Sequence, residues 1–153
     1  MPDHTVTALR DVLAESLAEI HDALVGLSMD ELNARPGGEG TNPMAVIAVH
    51  TLASTRSWIS LAFGEPLPPR DRPSEFTTVA GDGFIRDIDD AIAAVLALVG
   101  GQSAFDPARE GVATWVAHRP DEPVTAAWAL QHCLAHVGEH VGHAHLTRQL
   151  LRP

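Results

Sequence analysis

Apolar residues at helical spacing constrain the fold of this chain more than any other feature of its sequence. Over residues 5–27 they recur at steps of three and four, which places them on one face of a helix. The same spacing predicts further helices over residues 43–63, 83–99 and 123–151. Four such helices, with no internal repeat or domain boundary between them, predict one all-α domain over residues 1–153.

Short local patterns predict where the helices begin. Ser28 followed three residues later by Glu31 is a capping-box pattern, which predicts a single helical turn over residues 28–32. Asn42 is expected to cap the second long helix, with Pro43 at its first position, because proline has no N–H to leave unpaired there.

Two long connections separate the helices. Residues 65–79 contain four prolines and predict an extended crossover, long enough to span a helix and to make the second and third long helices parallel. For residues 102–122 two interpretations stay open, a short strand over residues 112–116 or an irregular wrap.

An acidic composition excludes some classes of partner. The formal net charge of −10 argues against binding to nucleic acid and against docking on anionic membranes. No apolar run reaches the roughly 20 residues of a membrane span, and the first residues lack the pattern of a signal peptide. Cys133 is the only cysteine and is expected to be a buried core residue. The resulting prediction is a cytoplasmic protein.

Histidine is the residue type that points to chemistry. The chain has nine histidines, and five of them lie between residues 132 and 145. At about 100° per residue, four of these fall within about 80° of one helix face, namely His132, His136, His140 and His143. Imidazoles four residues apart can hold one metal ion, so His136 and His140 form a candidate pair. His132 with His136 is the competing register, and a histidine stripe that binds no metal is the other interpretation.

Other polar residues extend this candidate site. His50 lies among apolar residues of the second long helix, where metal ligation would offset the cost of burying its ring, and it is the expected third ligand. The alternative for His50 is an ordinary hydrogen-bonded core histidine. Glu139 could orient a ligand or act as a base, and Arg56 or Arg72 could hold an anionic group. Each of these three could equally be a solvated surface residue.

Several segments resemble the DinB-like superfamily, and together they cover nearly the whole chain. The resemblance is carried by residues 41–50, which end on His50, by residues 70–76, and by residues 128–148, where His136 and His140 are four apart. His143 stands where the family often has glutamine, which makes it a candidate extra ligand. The resemblance implies a four-helix bundle of up-down-down-up topology, a homodimer, and a zinc or nickel site formed by the three histidines at positions 50, 136 and 140.

The resemblance also implies a function. Members with an assigned reaction are mostly thiol-dependent S-transferases or isomerases that use mycothiol or bacillithiol. We therefore expect a metal-dependent thiol S-transferase that acts on small electrophiles. Two alternatives stay open, a metal-dependent hydrolase that uses metal-bound water and a non-catalytic metal-binding stress-response dimer.

Overall fold

The computed structural model describes residues 3–116 and 121–152 of the chain and is mostly helical. Its six helices and two strands follow in the order α1 (His4–Leu24), α2 (Met29–Asn33), α3 (Met44–Phe63), α4 (Arg72–Glu75), α5 (Phe84–Gly100), β1 (Glu110–Val112), β2 (Pro123–Thr125) and α6 (Ala126–Leu151). The mainly helical fold predicted from the sequence is confirmed, and the four predicted long helices correspond to α1, α3, α5 and α6.

Helix α1 forms because one of its faces is apolar throughout. Asp3 caps it by accepting hydrogen bonds from the backbone amides of the first turn. The apolar stripe is buried as expected, at Val6, Leu9, Leu13, Leu17, Ile20 and Leu24. The helix ends at Leu24 rather than at residue 27, because Val25 is extended and Gly26 adopts a φ of 78° that other residues rarely take.

The four long helices pack around a common core. Helix α1 packs against α5 and α6, and α3 packs against the same two helices. Near its end α1 meets the far end of α6, where Glu19 pairs with His145 at 2.8 Å, so these two helices run in the same direction. His21 pairs instead with Asp89 near the start of α5, at 3.2 Å, so α1 and α5 are antiparallel.

Contacts made by α3 and α5 give the directions of these two helices. His50, early in α3, lies against His140 late in α6, so these two helices are antiparallel. Just beyond the ends of α3 and α5, Gln102 donates a hydrogen bond to Glu65 at 3.0 Å, which makes α3 and α5 parallel. The resulting directions are up for α1 and α6 and down for α3 and α5, and residues 65–83 make the crossover between the two parallel helices.

Three local predictions need correction. Asn42 does not cap α3, because Pro43 occupies the cap position and makes no side-chain hydrogen bond there. The crossover is not wholly extended, since Asp71 accepts a hydrogen bond from the Ser74 amide and caps the short helix α4. Helix α6 begins at Ala126 rather than at residue 123, because the three residues before it form strand β2.

Strand β2 pairs antiparallel with β1, with Gly111 opposite Val124. A strand was one of the two interpretations for residues 112–116, and the observed strand ends at Val112. Residues 117–120 of this connection lie outside the described part of the chain. Among the described helices, none combines the length and the apolar content that crossing a membrane requires.

Candidate metal centre

Three histidines from two helices converge where the first half of α3 packs against α6. His50, His136 and His140 each place one ring nitrogen within 4.8 Å of those of the other two. The ring centroid of His50 lies 5.2 Å from that of His136 and 5.1 Å from that of His140. Because α3 and α6 are antiparallel and in direct contact, one ring from α3 meets two rings that lie one turn apart on α6.

The spacing of these nitrogens fits a small divalent cation. Nε2 of His136 lies 3.2 Å from Nε2 of His140. Two imidazole nitrogens bound to zinc at about 2.0–2.1 Å and at a tetrahedral angle would lie about 3.3–3.4 Å apart. A right angle, as in octahedral coordination, would place them about 2.8–3.0 Å apart at the same bond lengths. The three histidines could therefore hold one metal ion in either geometry.

The side chain of Glu75 fixes the orientation of the His50 ring. Nδ1 of His50 donates a hydrogen bond of 2.7 Å to Oε2 of Glu75. Arg70 donates to the same carboxylate twice, from Nε to Oε1 at 2.7 Å and from Nη2 to Oε2 at 3.0 Å. Since Nδ1 carries the proton, the lone pair of His50 is on Nε2, which is the nitrogen available to a metal ion.

The groups around Glu75 determine whether its carboxyl group is ionised. Burial alone would raise the pKa of Glu75, but the hydrogen bonds from Arg70 and His50 outweigh it and leave that pKa below its ordinary value. Glu75 is therefore an anion paired with a buried guanidinium. The sequence analysis missed this residue, although it lies in the segment 70–76 that carried part of the family resemblance.

Burial also keeps the three imidazoles neutral. Burial, and next the repulsion from His140 and His50, lowers the pKa of His136 to about 3. Burial and the neighbouring His50 lower the pKa of His140 to about 4. Burial lowers the pKa of His50 as well, although its hydrogen bond to Glu75 acts in the opposite direction. Only a neutral imidazole can coordinate a metal ion, so all three are ready to bind at neutral pH.

The comparison with protein families matches residues 12–144 to the DinB superfamily. The chain belongs to the DinB superfamily. A similar solved structure is that of a conserved protein from Enterococcus faecalis, with a TM-score of 0.69 and 19% sequence identity over 99% of this chain and 98% of that chain. At this identity the likeness shows the fold alone. None of the curated proteins compared with the chain matches it.

The two other histidines of the stripe in this DinB superfamily chain flank the triad. Nδ1 of His143 lies 3.4 Å from Nδ1 of His140, on the side of the ring opposite the three converging nitrogens. The ring of His132 stacks on Trp128 at 4.8 Å, with an angle of 7° between the planes. The ring of His132 lies 6.1 Å from that of His136, farther than the triad rings lie from one another. The structure thus brings together His136 and His140, and not His132 and His136, with His50.

Two further candidates lie away from the triad. Glu139 is exposed on α6 and lies 3.9 Å from Nε2 of His143, because the helix turns its side chain away from the converging nitrogens. Arg56 is exposed on the opposite face of α3, where it lines a groove shared with Asp87 of α5. Neither Glu139 nor Arg56 is among the residues that line the two cavities beside the triad, and the roles predicted for them, a ligand-orienting group or base and an anion-binding group, stay predictions. Arg72, by contrast, does lie beside the triad.

Two cavities adjoin the triad, and His50 lines both. The tryptophan cavity has a volume of about 440 Å³ and is walled by His50, Trp58, Arg70, Arg72, Trp115 and His136. The loop cavity has a volume of about 250 Å³ and lies between His50, His140, His143, Phe76 and the loop before α3. No Asp or Glu lines either cavity among the described residues. Small molecules could therefore reach the three histidines from two sides.

Proposed function

We propose that the chain is a metal-dependent S-transferase that joins the thiol of a low-molecular-weight cofactor, of the mycothiol or bacillithiol type, to a small electrophile. The single observation that carries this proposal is the triad of neutral histidines between two open cavities. Three protein ligands with access for a further ligand are typical of catalytic rather than structural metal sites. Membership of the DinB superfamily supports the same interpretation.

The three histidines, Glu75 and Arg70 would each have a separate role in this reaction. Nε2 of His50, His136 and His140 would hold a divalent cation, zinc or nickel, whose charge lowers the pKa of a thiol that binds beside it. Glu75 keeps the lone pair of His50 on Nε2, and Arg70 keeps Glu75 ionised.

The thiol would have to come from outside the chain. Cys133 is the only cysteine, and it is buried in the core at 1% exposure, as the sequence analysis expected. Burial raises the pKa of its thiol to about 12, which keeps it protonated. The cavities beside the triad have room for a bound cofactor, and Cys133 lines neither of them.

The surroundings of the triad favour a thiol over water as nucleophile. Water is a much weaker acid than a thiol, and hydrolytic metal sites usually pair the metal with a carboxylate base. Here the described walls of both cavities contain no carboxylate, and Glu75 is held by three hydrogen bonds from His50 and Arg70. A thiol with an ordinary pKa of about 8.5 needs only a nearby cation to become a thiolate.

Metal analysis and thiol consumption together test the proposal. The purified protein is loaded with Zn²⁺ or Ni²⁺ and incubated with mycothiol, bacillithiol or glutathione and the electrophile 1-chloro-2,4-dinitrobenzene. We expect one metal ion per chain and equal consumption of thiol and electrophile. His50→Ala and His136→Ala should lose both metal and turnover. His145→Ala is the matched control, because His145 lies on α6 but pairs with Glu19 at the surface.

Three outcomes would contradict the proposal. Full metal occupancy in His50→Ala or His136→Ala would show that the replaced histidine is not a metal ligand. Metal-dependent cleavage of ester or amide substrates without consumption of thiol would indicate a hydrolase. Tight metal binding without turnover of any thiol and electrophile pair would indicate a non-catalytic metal-binding protein.

A further inference from the structure

The walls of the tryptophan cavity are aromatic to an unusual degree for this chain, which has only three tryptophans and four phenylalanines. Trp58 and Trp115 line the cavity, with their ring centroids 5.1 Å apart and their planes at 73°. His132 adds a third ring, 4.7 Å from Trp58. Flat, rigid walls of this kind favour a flat ligand, because aromatic rings pack on one another through stacked or edge-to-face contacts.

The same cavity carries a positive charge that is not compensated by a carboxylate. Arg70 is neutralised by Glu75, whereas Arg72 makes no ion pair within the described part of the chain. The guanidinium of Arg72 lies 5.0 Å from the ring of Phe76, at the exposed edge of the cavity. In a chain with a net charge of −10, this is a local cationic region, and the proposed metal ion would add to it.

A buried hydrogen-bond donor lies in the same wall. Nε1 of Trp115 is shielded from solvent, and among the described residues it has no hydrogen-bond partner. Because Nε1 is shielded, the part of Trp115 that a ligand in the cavity can contact is its ring. The Arg72 cation beside aromatic walls matches a flat group that bears a negatively charged oxygen.

We propose that the tryptophan cavity binds an aromatic carboxylate, with its ring packed against the wall formed by Trp58 and Trp115 and its carboxylate at Arg72. In the transfer reaction this ligand is the electrophile, and that part of the inference rests on the proposed function. For an aryl chloride substrate, the thiolate sulfur forms a bond to the ring carbon and the carbon–chlorine bond breaks. Chloride leaves with the electron pair, and the thiol proton goes to solvent.

A binding experiment tests the cavity independently of the reaction. Isothermal titration calorimetry measures the Kd of 2-naphthoate and of the neutral 2-naphthamide, with metal-loaded and with chelator-treated protein. We expect naphthoate to bind more tightly than naphthamide in both forms. Arg72→Gln should weaken naphthoate binding about tenfold, the usual scale for losing a charge-assisted hydrogen bond at a partly exposed site, and should leave naphthamide unchanged.

Two further variants test which side chains contribute to binding in the tryptophan cavity. Trp115→Leu removes part of the aromatic wall and keeps Arg72, so it should weaken the binding of naphthoate and of naphthamide alike. Arg56→Gln is the matched control, because Arg56 is an exposed arginine that lines a different groove. It should bind both ligands as the unaltered protein does. Equal binding of naphthoate and naphthamide, or unchanged naphthoate binding in Arg72→Gln, would overturn the proposal.

A kinetic experiment tests the substrate class. With 4-chloro-3-nitrobenzoate as electrophile, Arg72→Gln should raise KM about tenfold with little change in kcat, and it should not affect the neutral 4-chloro-3-nitrobenzamide. If no thiol transfer occurs but naphthoate binding still depends on Arg72, the proposed function fails and the carboxylate site stands. If transfer occurs but naphthoate binding depends on the metal alone, the carboxylate site at Arg72 fails and the transferase stands.

Discussion

Replacing Glu75 by glutamine tests the most specific feature of the candidate metal centre. The carboxylate of Glu75 accepts one hydrogen bond from Nδ1 of His50 and two from Arg70. Glutamine has the same shape but only one acceptor oxygen. Whichever way its amide turns, an NH2 group must face either His50 or Arg70, both of which are donors.

The structure indicates how much folding free energy and how much metal affinity this substitution should cost. The Arg70 side chain is only 6% exposed, and loss of its anion leaves a buried charge without a partner. Such a loss typically costs about 3–5 kcal/mol of folding free energy. If the amide NH2 faces His50, the ring must take the tautomer protonated on Nε2, which removes the lone pair from the metal site. Loss of a hydrogen-bonding partner behind a metal ligand typically weakens metal binding about 10–100-fold.

A second variant separates the two effects. Glu75→Leu combined with Arg70→Leu removes both the unpaired charge and the acceptor for Nδ1 of His50, so the free energy of unfolding should recover most of its loss while metal affinity stays low. Unfolding is followed by circular dichroism on metal-free protein, and the Kd for Zn²⁺ by competition with a chromophoric chelator. Glu139→Gln, an exposed carboxylate on the ligand helix, serves as the control. Wild-type metal affinity in Glu75→Gln, or an equal loss in Glu139→Gln, would refute the reasoning.

Three further predictions concern pH, glycine geometry and core packing. The pKa of His136 is lowered to about 3 and that of His140 to about 4, whereas unfolded histidine titrates near about 6.5, so the unfolded chain binds more protons between these values. The metal-free protein should therefore lose stability as pH falls from 7 to 4, and an unchanged Tm over this range would contradict the burial of the two rings. Gly142→Ala should stabilise α6 by about 0.5–1 kcal/mol, because a Cβ there meets open space, whereas Gly64→Ala should destabilise, because its φ is +70° and the Arg109 side chain occupies the Cβ position. Opposite signs of these two changes in chemical denaturation are the check. Leu17→Ala, at a position with 0% exposure, should cost about 2–5 kcal/mol in the same assay, and a cost below about 1 kcal/mol would show that this face of α1 is not core.

The sequence predicts the helices well because their signals are local. The apolar stripe of α1 and the capping box at Ser28 depend only on residues a few positions apart, and both are observed. The spacing of His136 and His140 is local in the same way. Their meeting with His50 is not, and it was inferred from the cost of burying an imidazole and from the family resemblance rather than from any pattern in α3.

The parts that the sequence did not predict depend on contacts between distant segments. Glu75 looks like a surface residue in a polar, proline-rich connection, and only the folded crossover places it 2.7 Å from His50. For Arg56 the sequence suggested a place near the metal site, because Arg56 and His50 lie about two turns apart on the same helix. In the folded chain the side chain of Arg56 instead lines a groove shared with α5. The strand pair β1–β2 forms between two three-residue segments that are distant in the chain, and their sequences carry no strong alternation.

The crossover explains why a charged pair is buried in this structure. An ion pair as deeply buried as Arg70 and Glu75 adds little net stability, since the cost of removing both charges from water roughly offsets their attraction. Two apolar residues of similar volume would hold the crossover against α3 at least as well. What they could not supply is an acceptor for Nδ1 of His50, and an unpaired carboxylate at that depth would be neutralised by protonation. Arg70 is therefore needed to keep Glu75 ionised, and Glu75 to keep Nε2 of His50 open for a metal ion. If the double variant at these two positions retained both stability and metal affinity, the buried charges would have no role in the site.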